Sequence, residues 1–214
     1  MNEKLRLLLV DDHAVVRNGY RRLLESQEDL TVVGEAASAR EALDRQREYL
    51  PDLIVLDISL PDIGGVELIG RLVQRDPGCR ILVFSMHRDP IFATQSLRAG
   101  AIGYVTKSSQ PEVMIDAIYR VAAKQQVISP DISSDLALSL VNGASGPVER
   151  LSPREFEILQ LLLDGCESKE IASRLSISSK TVQNYHYQIK LKLGVKSDIE
   201  MMKSAIRLGL FKPY

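Results

Sequence analysis

The strongest constraint on this chain is an alternation. Five short, almost wholly apolar runs recur in its first half: LRLLLV (5–10), TVVGEA (31–36), LIVL (53–56), RILVFS (80–85) and IGYV (102–105). Runs of this length, rich in aliphatic and β-branched residues, suit strands covered on both faces. Between them lie segments with apolar residues at helical spacing, such as Val16, Tyr20, Leu23 and Leu24, or Val113, Ala117, Ile118 and Val121. Strands alternating with helices predict a doubly wound α/β fold with a five-stranded parallel sheet.

The second half has a different grammar. No further strand is expected from about Pro111 onward. Residues 125–149 mix polar residues with a VNGASGPVE cluster and are read as a linker with a short helix near 131–141. Beyond it, Ser152-Pro153-Arg154-Glu155 supplies an N-cap, a proline at the first helical position and a Glu placed for a capping box. Gly165 is expected to stop that helix. A second should run from Ser168 to Leu175, a third from Ser178 or Ser179 to Leu193 ahead of Gly194, and a fourth from the Ser197–Glu200 capping pattern. The division expected is an α/β domain over 1–124 and an all-α four-helix domain over 150–214, which 214 residues can accommodate.

Composition narrows the setting. Apolar residues make up 45%, as in soluble globular proteins, and no apolar run approaches the ~18 residues that cross a membrane. The opening MNEKLR lacks the long apolar stretch of a secretory signal, so a cytosolic location is expected. Cys79 and Cys166 lie outside any metal-ligand spacing and are read as ordinary core or surface thiols.

Strand polarity then gathers particular side chains. In an open parallel sheet, ligands bind beyond the carboxyl ends of the strands, where strand order reverses. Asp11 and Asp12 follow the first run, Asp57 the third, Ser85 ends the fourth, and Lys107 follows the fifth. Asp12 alone could simply cap the next helix. Three carboxylates on one rim, however, would not all stay ionised without a cation, and Mg²⁺ suits hard oxygen donors. A carboxylate beside Mg²⁺ can attack a phosphoryl group, while Lys107 and the Ser85 hydroxyl bind its oxygens.

The motifs DDH, LIVLDISLPDIGG, VFS and GYVTK, in this order, resemble the flavodoxin-like receiver domain of two-component response regulators across residues 4–124. The resemblance implies that Asp57 is the phosphoacceptor for a histidine kinase. Asp11, Asp12 and the Ser59 backbone carbonyl would join Asp57 around the metal. Ser85 and Tyr104 would be the hydroxyl and aromatic switch residues, and Lys107 the phosphoryl-binding lysine. The family often has proline after that lysine; here Ser108 follows. His13 and His87 are read as loop residues without a role.

The net charge of −1 conceals a basic segment. Between Ile171 and Ser197 there is no Asp or Glu, while Arg174, Lys180, Lys190, Lys192 and Lys196 fall inside it. Ile171, Ala172 and Leu175 form one inner face, and Val182, Tyr185, Ile189 and Leu193 another, with a turn between. Lys180, Gln183, Asn184 and Tyr187 are left pointing outward. This is helix–turn–helix grammar, although charge alone fits a solvated basic helix equally well. The stretch LSPREFEILQLLLDGCESKEIASRLSISSKTVQNYHYQIKLKLGV resembles the LuxR-type DNA-binding domain of NarL/FixJ response regulators over 150–210. By position, Gln183, Asn184 and Tyr187 would face bases, and Lys180, Thr181 and Lys192 would meet phosphates. Tyr187 departs from the small polar residue common there.

The expectation is a cytosolic transcriptional regulator, not an enzyme, whose phosphorylation drives homodimerisation on double-stranded promoter DNA. The last helix, with Met201, Met202, Ala205, Ile206 and Leu208, could serve the dimer or pack within its own bundle. Two rivals differ in class. A phosphohydrolase resembling haloacid dehalogenases would need Asp two residues after the nucleophile, where Ser59 stands. A regulator acting by protein contacts alone would have no use for the acidic set.

Overall fold

The computed structural model of the chain describes residues 4–134, 147–175, 177–208 and 210. The five apolar runs form β1 (Leu5–Val10), β2 (Leu30–Ala36), β3 (Leu53–Leu56), β4 (Ile81–Ser85) and β5 (Gly103–Thr106). Between and after them lie α1 (Ala14–Glu25), α2 (Ala39–Tyr49), α3 (Gly65–Arg75), α4 (Pro90–Ala99) and α5 (Pro111–Ala122). All strand pairs are parallel, in the order β2-β1-β3-β4-β5-β6.

The sixth strand corrects the expectation that none follows Pro111. β6 is only Val127–Ile128, paired with Gly103 and Tyr104 of β5. Two residues carry no periodicity, so only the pairing reveals them. The Ser129 N–H then donates to the Tyr104 carbonyl at 2.9 Å. Residues 130–134 are helical, which covers the start of the helix expected near 131–141. Its remainder lies outside the described residues.

Alternation along the strands builds two cores. Leu7 and Leu9 face a core closed by Leu24 of α1 and by Met114, Ala117 and Ile118 of α5. Leu8 and Val10 face the opposite side, against Ala39 and Ala42 of α2, Leu68, Ile69 and Leu72 of α3, and Phe92 and Ala93 of α4. This second core continues without a break into the C-terminal domain, through Val148, Leu151, Phe156 and Leu159.

That domain consists of a 3₁₀ turn (Pro147–Arg150) and the helices α6 (Pro153–Leu163), α7 (Ser168–Arg174), α8 (Ser179–Leu193) and α9 (Asp198–Arg207). Ser152 and Glu155 make the full reciprocal capping box. At α9 only half of it forms: Ser197 accepts from the Glu200 N–H, but the Glu200 carboxylate reaches back to the Lys196 N–H instead. Gly165 and Gly194 end their helices at φ of +81° and +69°, the left-handed conformation that favours glycine.

The two domains meet along α3 and α4 on one side and α6 with the 3₁₀ turn on the other. Phe92 and Phe156 pack edge to face, with centroids 5.5 Å apart. The Gly64 N–H at the start of α3 donates to Glu157 Oε1 at 2.5 Å, so an acid from one domain caps a helix of the other. The buried Gln95 Nε2 donates to the Val148 carbonyl at 3.1 Å.

Candidate functional site

The chain reverses its direction of winding at β1, which lies between β2 and β3. The crevice this creates opens at the carboxyl ends of β1 and β3. Asp11 and Asp57 stand there, both nearly sealed from solvent at 6% and 3% exposure. Lys107, carried in by the turn after β5, bridges them. Its Nζ donates to Asp11 Oδ2 at 2.6 Å and to Asp57 Oδ2 at 2.5 Å. Burial opposes the ammonium, but hydrogen bonds to Asp11 and Asp57 outweigh it and raise the lysine pKa. The remaining Asp57 oxygen accepts the Ser59 N–H at 3.1 Å, which fixes the start of the following loop. Asp62 in that loop accepts the Ala39 and Arg40 N–H groups at the start of α2, fastening the loop's far side.

Asp12 is exposed, with Oδ1 2.7 Å from His13 Nδ1. Ligand atoms of Asp11, Asp12 and His13 all lie within 4.8 Å of one another. Ser85 is fully buried and its Oγ accepts the His87 N–H at 3.3 Å. Tyr104 is also fully buried, and its hydroxyl donates to the His87 carbonyl at 2.9 Å. Burial raises its phenol pKa well above the ordinary value. Among the described residues there is no cis peptide bond, the one between Lys107 and Ser108 included.

The second candidate site is α8. Val182, Ile189 and Leu193 are buried against the bundle, with Tyr185 half-buried beside them. Lys180, Gln183 and Asn184 are exposed, and Tyr187 is 60% exposed. Thr181 is half-buried, and its backbone N–H donates to the capping Ser178 Oγ at 3.0 Å. Lys192 stands apart from this face. Its Nζ donates to the buried Glu155 of α6 at 2.5 Å. In α9, Met201 and Ala205 are buried in the bundle, while Ile199 and Ile206 remain exposed.

The model of the response regulator receiver domain matches residues 7–119, and that of the luxR family of bacterial regulatory proteins matches residues 149–205. The chain is a two-component response regulator with a LuxR-type DNA-binding domain. It is 38% identical over 209 residues to the response regulator GacA of Pseudomonas viridiflava, covering 96% of this chain and 97% of that one. It is 35% identical over 208 residues to the response regulator UvrY of Escherichia coli, covering 96% and 95%. Among solved structures it resembles RcsB from Salmonella enterica serovar Typhimurium bound to promoter rprA with the phosphomimetic BeF₃⁻. That match has 28% identity and a TM-score of 0.74, and covers 94% of this chain and 98% of that one.

Response regulators of this family are generally phosphoacceptors rather than enzymes. Asp11 and Asp12 fit the Mg²⁺ site typical of receivers: their donors are hard oxygens, clustered and open to solvent on the Asp12 side. No helix among the described residues is long and apolar enough to cross a membrane.

Two residues near the receiver pocket escaped the reading of the sequence. Glu157 was read only as part of a helix, yet the residue is 2% exposed and its carboxylate bridges the Gly64 N–H and Arg154, 2.7 Å away. Burial raises its pKa despite both partners. His87 was left as a loop residue, yet it touches both Ser85 and Tyr104. Neither has a local sequence signal. His87 sits two residues past the buried Ser85, and that proximity is the one hint available.

Proposed function

We propose that Asp57 accepts a phosphoryl group from a histidine kinase in the cytosol and that this controls DNA binding by the C-terminal domain. The observation that carries this reading is the buried Asp57 carboxylate sharing one lysine ammonium with Asp11 at the switch point of the sheet. In the transfer, an Asp57 oxygen attacks phosphorus. The P–N bond of the donor phosphohistidine breaks as the O–P bond forms, and the imidazole leaves with the electron pair and takes up a proton. Mg²⁺, when bound, would neutralise the charge of the transferring group. Asp11, Asp12, Asp57 and the Ser59 carbonyl would hold it.

Lys107 is already positioned to exchange one of its carboxylate partners for a phosphoryl oxygen. The Ser85 hydroxyl supplies a second contact, and Tyr104 repacks behind it. The working division is a receiver over 1–124, a linker over 125–149 and a DNA-binding domain over 150–214. Gln183, Asn184 and Tyr187 would face base edges in the major groove, while Lys180 and Thr181 meet phosphates. Lys192 would reach a phosphate only by leaving Glu155. Dimerisation on two half-sites of double-stranded promoter DNA is the expected output, supported by RcsB, which is seen bound to promoter DNA and as dimers on DNA.

Labelling with radioactive acetyl phosphate and Mg²⁺ tests the assignment. Wild type should incorporate label, and Asp57→Asn should incorporate none. Undiminished labelling of Asp57→Asn would overturn it.

A further inference from the structure

Four contacts converge on His87, and they belong to different parts of the molecule. Its N–H donates to Ser85 Oγ at 3.3 Å. Its carbonyl accepts from the Tyr104 hydroxyl at 2.9 Å. Its ring Nε2 lies 3.3 Å from Ser59 Oγ, two residues past the phosphoacceptor. The face of the ring stacks on Phe92, with centroids 4.0 Å apart and planes at 14°. Phe92 in turn meets Phe156 of the DNA-binding domain edge to face.

We propose that the His87 imidazole is the relay between the phosphoacceptor pocket and the domain contact, held by Ser59 on one edge and passing its position to Phe156 through Phe92. The inference rests on the phosphoacceptor reading of Asp57. A phosphoryl group on Asp57 brings new acceptor oxygens and negative charge to the pocket of the Ser59 and Ser85 hydroxyls, two of the three that hold His87. Ser85 Oγ accepts from His87 and keeps its proton for the phosphoryl group, whereas a Ser59 hydroxyl donating to Nε2 has only that one proton to give. Drawn to the phosphoryl oxygens, Ser59 releases the imidazole edge and Ser85 shifts under the His87 backbone. The ring then turns off Phe92, and Phe92 loses the packing that sets its angle to Phe156. The resting domain contact is thereby weakened from inside the pocket, with no direct contact between the phosphoryl group and the second domain.

The second domain is also fastened by bonds that involve neither the Ser59 nor the Ser85 hydroxyl, Gly64 to Glu157 and Gln95 to Val148. These define the resting arrangement. The aromatic chain differs from them in having one end inside the pocket.

Amide hydrogen exchange of the full chain, with and without beryllofluoride and Mg²⁺, tests the relay. Two regions are followed: the 53–64 segment around Asp57, and α6 at the domain contact. In wild type, beryllofluoride should slow exchange at 53–64 and speed it in α6, the latter by about tenfold. His87→Ala should show fast α6 exchange already at rest and a further change of less than about twofold, with 53–64 still responding. His87→Phe keeps the stacking but loses the Ser59 contact. It should show wild-type α6 protection at rest and a blunted response, and it carries the test should His87→Ala lose protection in β1. If both variants match wild type in α6 in both states, the relay is overturned while the phosphoacceptor reading stands. If the wild-type 53–64 segment ignores beryllofluoride, the phosphoacceptor reading fails and the relay fails with it.

Discussion

Lys107 does in the resting pocket what a divalent cation would do. It neutralises Asp11 and Asp57 at once, from 2.6 and 2.5 Å. Metal binding therefore competes with an internal counter-charge. Lys107→Ala should raise Mg²⁺ affinity, measured by titration calorimetry, while slowing labelling by acetyl phosphate. A second residue sets the loop that carries Asp57. A Cβ on Gly65 would fall 2.2 Å from the Ile58 Cα, a backbone atom that cannot step aside. Gly65→Ala should cost about 1–3 kcal/mol of stability, read from the urea midpoint, and weaken Mg²⁺ binding with it. The meeting of Asp11, Asp57 and Lys107 was legible because each follows a strand, and strand polarity fixes which rim it reaches. His87 and Glu157 were not legible, because what defines them is contact with residues far away in the chain.

At the scale of elements, periodicity carried most of the fold. Each of β1–β5 lies within a residue of its apolar run, and Gly165 and Gly194 end helices as expected. β6 was illegible for the opposite reason: a two-residue strand is defined by its neighbour. The joint between α6 and α8 gives a pH prediction. Burial opposes the Glu155 charge, but Lys192 and the Ser152 N–H outweigh it and lower its pKa below the ordinary 4.5. Its folded-state pKa thus lies below the unfolded value. The stabilisation is complete above about pH 4.5 and is lost as pH falls through the folded value. Glu155→Gln should flatten that part of the stability–pH curve, followed by thermal melts of the full chain. On α8 itself, two substitutions separate positioning from reading. Gln183→Ala should change base preference at one position of the site. Lys180→Ala should weaken binding to all duplexes alike and lower the salt slope by about 1.

For the molecule as a whole, the continuous core under α2, α3 and α4 joins two domains that composition and motifs read as separate units. Linker composition says where two domains are joined, not whether they dock. A shared core predicts cooperative unfolding. Calorimetry of the resting chain should give one transition, and beryllofluoride with Mg²⁺ should split it into two as the domain contact loosens.

Docking of the receiver on α6 leaves Gln183, Asn184 and Tyr187 on the solvent side of α8. Concealment is thus not the means of silencing. An unstimulated monomer should still touch duplexes weakly and indiscriminately. Activation would then appear in footprinting as a change from diffuse protection to two sharp, evenly spaced ones, set by how a pair of molecules is mutually oriented.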